Sequence, residues 1–267
     1  MALLPGVYVA KKKDGTLYFR SSITYKNKHI SLGSFSTEKK AYLAYIEANR
    51  LLKTPSISLD LDYDEHSPLS FEKWVVLTNF RDNHMYIKTP IYLKNRFFLY
   101  YINQHTILKF DVDDLFFYAT HKIMKRGGHL FVADFGMQIN ILSRYGIKNF
   151  SVIGKDYIFV NGDTTDFRYE NLKIINRYNG VLKEEKKGQV FYTAKIHIVG
   201  DYIIGRYSSE MEAAIAYNKA VQLLWDKGVS IRYTLNYVNE LSEREYDMLY
   251  NSIKISKKLY EYQFTTI

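Results

Sequence analysis

Alternation of apolar and polar positions is clearest near the two ends of the chain. In YFRSSITY, residues 18–25, Phe19, Ser21 and Ile23 fall on one side of an extended strand and Arg20, Ser22 and Thr24 on the other. In YTAKIHI, residues 192–198, Tyr192, Ala194, Ile196 and Ile198 form the inward set, and Thr193, Lys195 and His197 the outward set. Each stretch leads to a Gly-aromatic step, Gly33–Phe35 and Gly205–Tyr207, and then to helical periodicity. Ala41, Ala44, Tyr45 and Ala48 make a small-residue stripe in the first helix, and Ala213, Ala216, Tyr217 and Ala220 in the second. Thr37 before Glu38, and Ser208 and Ser209 before Glu210, are N-cap sequences. The spacing from Gly33 to Tyr45 recurs from Gly205 to Tyr217, so residues 6–52 and 180–228 read as one unit written twice. The predicted unit is a three-stranded antiparallel sheet with one helix lying close on its back.

Between the repeats the pattern changes. TPSISLDLDYDEHSPLS, residues 54–70, is rich in Pro, Ser and Asp and reads as an acidic linker. FEKWVVLTNF and IYLKNRFFLYYIN read as strands. KFDVDDLFFYATH predicts a strand running into a helix, with Asp111 as N-cap and Asp113 and Asp114 in the first turn. GGHLFVAD and MQINILSRY alternate like a hairpin pair, and DYIFVNGDTTDFRYENLKII reads as strand, polar turn, short helical segment and apolar finish. SIRYTLNYV closes the second repeat. Beyond it, Leu241, Tyr246, Leu249, Tyr250 and Ile253 recur at near-helical spacing, an apolar face to pack on the protein or on a second copy through residues 241–262. The expected class is α+β, divided as 1–54, 55–105, 106–178, 179–240 and 241–267.

Composition narrows the setting. The chain is 47% hydrophobic and 24% charged, with no apolar run near the roughly 20 residues of a membrane span, so no membrane partner is expected. With no cysteine there is neither a disulfide nor a thiolate metal site. MALLPGVYVAKKK has too short an apolar stretch and the wrong charge order for a signal peptide, which predicts a cytoplasmic protein. Charge is concentrated: residues 1–54 hold ten Lys/Arg against three Asp/Glu, so +7 of the net +9 lies there. An anionic partner is expected at that end. In the first repeat the open sheet face would carry Tyr8, Lys12, Arg20, Ser22, Thr24 and His29, with Lys11, Lys26 and Lys28 at its edges. Such a mix of cations and hydrogen-bonding groups suits DNA. The second face has Thr193, Lys195 and His197, but also Glu184.

Both repeats resemble the Apetala-two (ethylene-response-factor) DNA-binding domain, through GVY, YFRSSI, LGSF-ST and AYLAYIEA in one copy and NGV, YTAKI, IGRYSS and AAIAYNKAV in the other. The resemblance implies that the outward sheet residues enter a major groove. Residues 106–178 resemble an HNH endonuclease domain: Asn161, Gly162, Asp163, Asp166, Arg168, Glu170, Asn171, Leu172 and Ile174 agree with its motif, as do Leu142 and Arg144 upstream. The resemblance puts the metal-ligating Asp at Ile158, the general-base His at Phe159, the base-orienting Asn at Phe167 and an upstream His at Ser143. Phe and Ile can neither deprotonate water nor hold a metal. The seven histidines form no zinc-binding spacing, KRGG is a turn rather than a phosphate loop, and Ser143 has no partner histidine nearby in sequence, so no cofactor and no catalytic residue are predicted. Asp111, Asp113, Asp114, Asp134, Asp156, Asp163 and Asp166 could in principle assemble a Mg²⁺ site, but such aspartates more often cap helices and make turns. The expected function is sequence-specific binding of double-stranded DNA by an inactive nuclease scaffold, a transcriptional regulator of a phage or mobile element. A divergent metal-dependent endonuclease and a protein-binding inhibitor stay open as alternatives.

Overall fold

The structure is a computed structural model describing residues 3–59 and 62–263. Residues 60–61 of the expected linker and the last four residues of the tail lie outside it. The chain is α+β and forms two compact units, Met1–Ile141 with Asn161–Asn171, and Leu142–Val160 with Leu172–Ile267. No described helix is long and apolar enough to cross a membrane.

The first unit opens with β1 (Val7–Lys11), β2 (Leu17–Tyr25) and β3 (Lys28–Phe35), an antiparallel sheet in that order, backed by α1 (Glu38–Lys53). Thr37 caps the helix by accepting from the Lys40 N–H at 3.2 Å, and Ala41, Ala44 and Ala48 are fully buried against the sheet. The β2–β3 ladder slips at Ser21/Ser22: Ser21 faces Gly33 but Ser22 faces Ser31, leaving Leu32 as an extra residue. This bulge keeps Leu32 and Ile30 in the core and turns Ser31 and His29 to the side of Arg20.

The stretch read as a linker, residues 54–70, contributes to the core. Ile57, Leu59, Leu69, Trp74, Leu77, Phe80 and Tyr101 join Ile23, Ile30, Leu32, Ala44 and Leu51 in one buried cluster. FEKWVVLTNF is helical, part of α2 (Phe71–Asn83), and every residue from Trp74 to Arg81 is buried. A helix buried on every side shows no one-sided apolar period, which is why its sequence passes for a strand. The buried Arg81 donates to the carbonyls of Leu51, Thr54 and Ile57 and so fixes the chain as it leaves α1. The next sheet is β4 (Ile91–Leu93), β5 (Phe97–Asn103) and β6 (Thr106–Asp111), so the expected boundary at 105 falls inside a hairpin. After α3 (Leu115–Thr120), β7 (Met124–Arg126), β8 (His129–Asp134) and β9 (Met137–Asn140) form a third sheet containing the expected hairpin. Asp111 does not cap α3; its carboxylate accepts from the Tyr169 N–H at 2.7 Å. The segment 161–171 returns to β6, where Phe167 N–H donates to the Lys109 carbonyl. The expected domain 106–178 is therefore shared between the two units.

In the second unit β10 (Tyr157–Phe159) pairs with β11 (Leu172–Ile174). The second repeat follows as β12 (Val181–Lys186), β13 (Gln189–His197), β14 (Asp201–Tyr207) and α4 (Glu210–Asp226), capped by Ser209 with Glu212 in a capping box. Its ladder slips at Ala194/Lys195, leaving Ile204 extra, the counterpart of Leu32. Gly6 and Gly180 have φ of +72° and +69°, and a Cβ at either would lie 2.1 or 2.3 Å from the Tyr45 or Tyr217 ring. Only glycine fits there. The tail forms α5 (Glu243–Ser252) and α6 (Lys257–Tyr260). Its apolar face is spent inside the chain: Ile253, Ile255 and Leu259 are buried in the second repeat's core, with Leu241, Tyr246, Leu249 and Tyr250 packed beside them. Lys219 on α4 donates to the carbonyls of Tyr250 and Ile253.

Candidate nucleic-acid interface

Strand register puts Tyr8 opposite Arg20, Arg20 opposite Ser34, Ser22 opposite Ser31 and Thr24 opposite His29, all on the face turned away from α1. Tyr8, Arg20, Thr24, His29, Ser31 and Ser34 are exposed, and Lys12 follows β1 on the parity of Tyr8. Arg20 donates to the Tyr18 hydroxyl at 2.9 Å and lies 5.6 Å from its ring centre, which holds the guanidinium beside Tyr18 on the middle strand. None of the three acids of residues 1–54 is on this face. Asp14 accepts from Thr16 in the β1–β2 turn, Glu38 accepts from Leu4, and Glu47 holds Arg50. The result is a cationic, hydrogen-bonding, acid-free surface.

Ser22 and Lys11 sit differently from the expectation, while Lys26 and Lys28 lie at the edge. Ser22 is on the face but buried, and its hydroxyl has no partner. Lys11 pairs with Leu17 on the parity of Val9 and Phe19, so it points to the helix side. Lys26 donates to His84 Nδ1 at 2.6 Å, and Lys28 lies 5.2 Å over the Tyr86 ring, so both lean toward the segment after α2. They border the face rather than belong to it.

The second sheet aligns position for position but carries another surface. Thr193 stands where Arg20 stands, is 1% exposed, and donates its hydroxyl to Glu184. His197 faces Asp201 and bonds it at 2.8 Å, where the first sheet has Thr24 facing His29. Lys195 faces Ile203, and Arg206 lies over Phe191 at 5.6 Å. Of the three expected contacts here, only Lys195 is a cation with no acid beside it in the ladder.

The motif residues of segment 161–171 form a closed polar network. Asp166, 1% exposed, takes two Arg168 hydrogen bonds at 2.9 and 2.7 Å, one from Asn161, and an ion pair with Lys109 at 3.6 Å. Burial pushes its carboxyl up, but the Arg168 hydrogen bonds and the Lys109 and Arg168 charges outweigh this and hold it below the usual carboxylate range. Asn171 accepts from the Asn161 N–H and donates to the carbonyls of Asp163 and Asp166. Phe167 is buried and stacks on Phe110 at 5.5 Å. In the second unit Phe159 is buried beside Tyr157, Ile158 faces Lys173 across β10–β11, and Ser143 is exposed. Three further aspartates have structural partners: Asp156 bonds Lys148 at 2.9 Å, Asp163 caps Thr165, and Asp114 receives the Tyr169 hydroxyl. Among the described residues no three His, Asp or Glu side chains converge as a metal site.

Comparison of the chain with protein families, curated proteins and solved structures finds no match. The case for a function therefore stands on these two sheet faces and the polar network of segment 161–171.

Proposed function

We propose that the chain binds double-stranded DNA through the first sheet face and leaves it uncut, acting as a regulator of a phage or mobile element as the Apetala-two and HNH resemblances imply. The observation that carries this reading is the acid-free exposed face built around Arg20, in the fifth of the chain that holds +7 of the net charge. A three-stranded sheet of this width fits a major groove, where an arginine can donate both its nitrogens to guanine. Lys12 and the bordering Lys26 and Lys28 act on phosphates, and each phosphate they neutralise steepens the salt dependence. On this reading the HNH-like segment is kept for its polar network, with Phe159 and Phe167 replacing chemistry by packing.

Fluorescence anisotropy of labelled duplex across a salt series, with a parallel Mg²⁺ arm analysed for strand breaks, tests the proposal. Expected are binding that falls steeply with salt, about tenfold weakening in Arg20→Ala, and intact DNA with Mg²⁺. Salt-independent binding, or cleavage, contradicts it.

A further inference from the structure

The two repeats differ in what covers one edge. In the second, the β12 pairing ends at Val181–Ala194, Lys195 N–H reaches the Gly180 carbonyl, and the strand edge beyond lies bare of partner strands. The chain's own extended segment after α4 covers that edge. Trp225 Nε1–H donates to the Ile231 carbonyl, and Tyr233 places its hydroxyl on the His197 carbonyl at 2.8 Å. Tyr217 is buried in the second repeat's core and Tyr233 packs against that core; burial, and then the neighbouring Tyr233, push the Tyr217 phenol up to about 12. Asn236 then exchanges hydrogen bonds with Asn218 and Asn179.

The first repeat has the same edge with no cover among the described residues. Pairing ends at Val7–Ser21, Ser22 N–H reaches the Gly6 carbonyl, and Ile23–Tyr25 continue past the end of β1. Here the chain leaves α1 toward Arg81 instead of turning back. What remains is a cavity of about 440 Å³ whose walls include Ile23, Thr24 and His29 on the sheet and Tyr45, Asn49 and Lys53 on α1. Thr24 is the counterpart of His197, Tyr45 of Tyr217 and Lys53 of Trp225. Among the described residues no acid lines it, while Lys53 and His29 do. The volume falls within the ~300–1,000 Å³ of sites that hold ligands.

We propose that this groove receives an extended segment of a partner protein, which seats a tyrosine beside Tyr45 with its hydroxyl on the Thr24 carbonyl and an acidic residue next to Lys53. The occupant is read from the sister repeat, which fills the equivalent groove with an extended segment carrying a tyrosine, and its acidity from the cationic, acid-free lining. Strand edges are a common place for such additions. The groove shares Tyr8, Ser22, Thr24 and His29 with the face proposed for DNA, but peptide binding does not require DNA binding, since a chain that ignored DNA could still bind the peptide.

The probe is a synthetic peptide of residues 229–238 carrying Arg232→Glu, titrated into the full chain. Saturable binding is expected, weakened about tenfold when the peptide's tyrosine at 233 is changed to alanine, and equally by Asn49→Trp, which fills the groove from the helix side. Lys53→Glu should reverse the preference toward the peptide that keeps Arg232. Thermal melts confirm that both variants fold. Absence of saturable binding, or binding indifferent to these changes, overturns the proposal. So does an equal loss of duplex affinity in Asn49→Trp, which would assign the groove to nucleic acid.

Discussion

The two sheet-and-helix repeats share their backbone devices and little of their surface. Each has a left-handed glycine under a tyrosine ring, a one-residue bulge in the third strand, an aromatic ring folded back over a glycine, and a Ser or Thr helix cap. Yet where one face exposes Arg20, the other has Thr193 sealed by Glu184, and where one pairs Thr24 with His29, the other pairs His197 with Asp201. A handful of conformationally demanding residues holds a scaffold while the outward positions diverge freely. Repetition thus identifies architecture, and function must be argued face by face.

The largest expected effect breaks the shared device unequally. Gly180→Ala would set a Cβ 2.4 Å from the Lys195 carbonyl, which is fixed in the sheet, besides the Tyr217 ring. Gly6→Ala meets chiefly the Tyr45 ring, which borders the open groove and can swing away. We expect Gly180→Ala to cost about 3 kcal/mol or more and Gly6→Ala about 1–2 kcal/mol, measured by urea denaturation of the full chain with a probe in each repeat.

A smaller effect separates network from chemistry. Asp166→Asn leaves Arg168 and Lys109 without their buried anion, but both are partly exposed and recover water, so about 2 kcal/mol is expected rather than the full value for a buried pair. The folded carboxyl titrates below its unfolded value of about 3.9. Its contribution is therefore complete above that pH and lost as pH falls through the folded value. Denaturation of the wild type and variant from neutral to acid pH should show the gap closing only at the acid end. A gap independent of pH would mean the carboxylate charge plays no part.

The smallest effect uses the repeat as its own control. Ser21 and Ser22 are buried with unpartnered hydroxyls, and the counterpart of Ser21 is the fully buried Ala194. Ser21→Ala should leave stability unchanged or raise it by about 1 kcal/mol; a loss on thermal denaturation would show that the hydroxyl has a role the sister repeat does without.

Much of this fold is legible in the sequence. The repeats, their strand parity and their caps follow from period and spacing, which local sterics and capping enforce. Even His29 is placed on its true side, although strict alternation back from Ser34 would misplace it; only the bulge at Leu32 brings it round. The errors lie where long-range packing decides. A helix buried on every side looks like a strand, as residues 71–83 show. A Pro/Ser/Asp-rich stretch looks like a linker until Ile57 and Leu59 are seen in the core. The apolar face of the tail could not name its partner, because nothing local distinguishes α4 from a second copy. Tyr233 and Arg81, which decide how each repeat's edge is finished, carry no motif at all.

The most direct test of the central claim is the salt dependence of duplex affinity in two paired variants, Lys12→Ala/Arg20→Ala and Lys195→Ala/Arg206→Ala. The account predicts that the first pair lowers affinity and shallows the log–log slope by about one for each phosphate left without its cation, while the second leaves both near wild type. Equal effects, or a larger effect in the second pair, would contradict the assignment of DNA binding to the first sheet face.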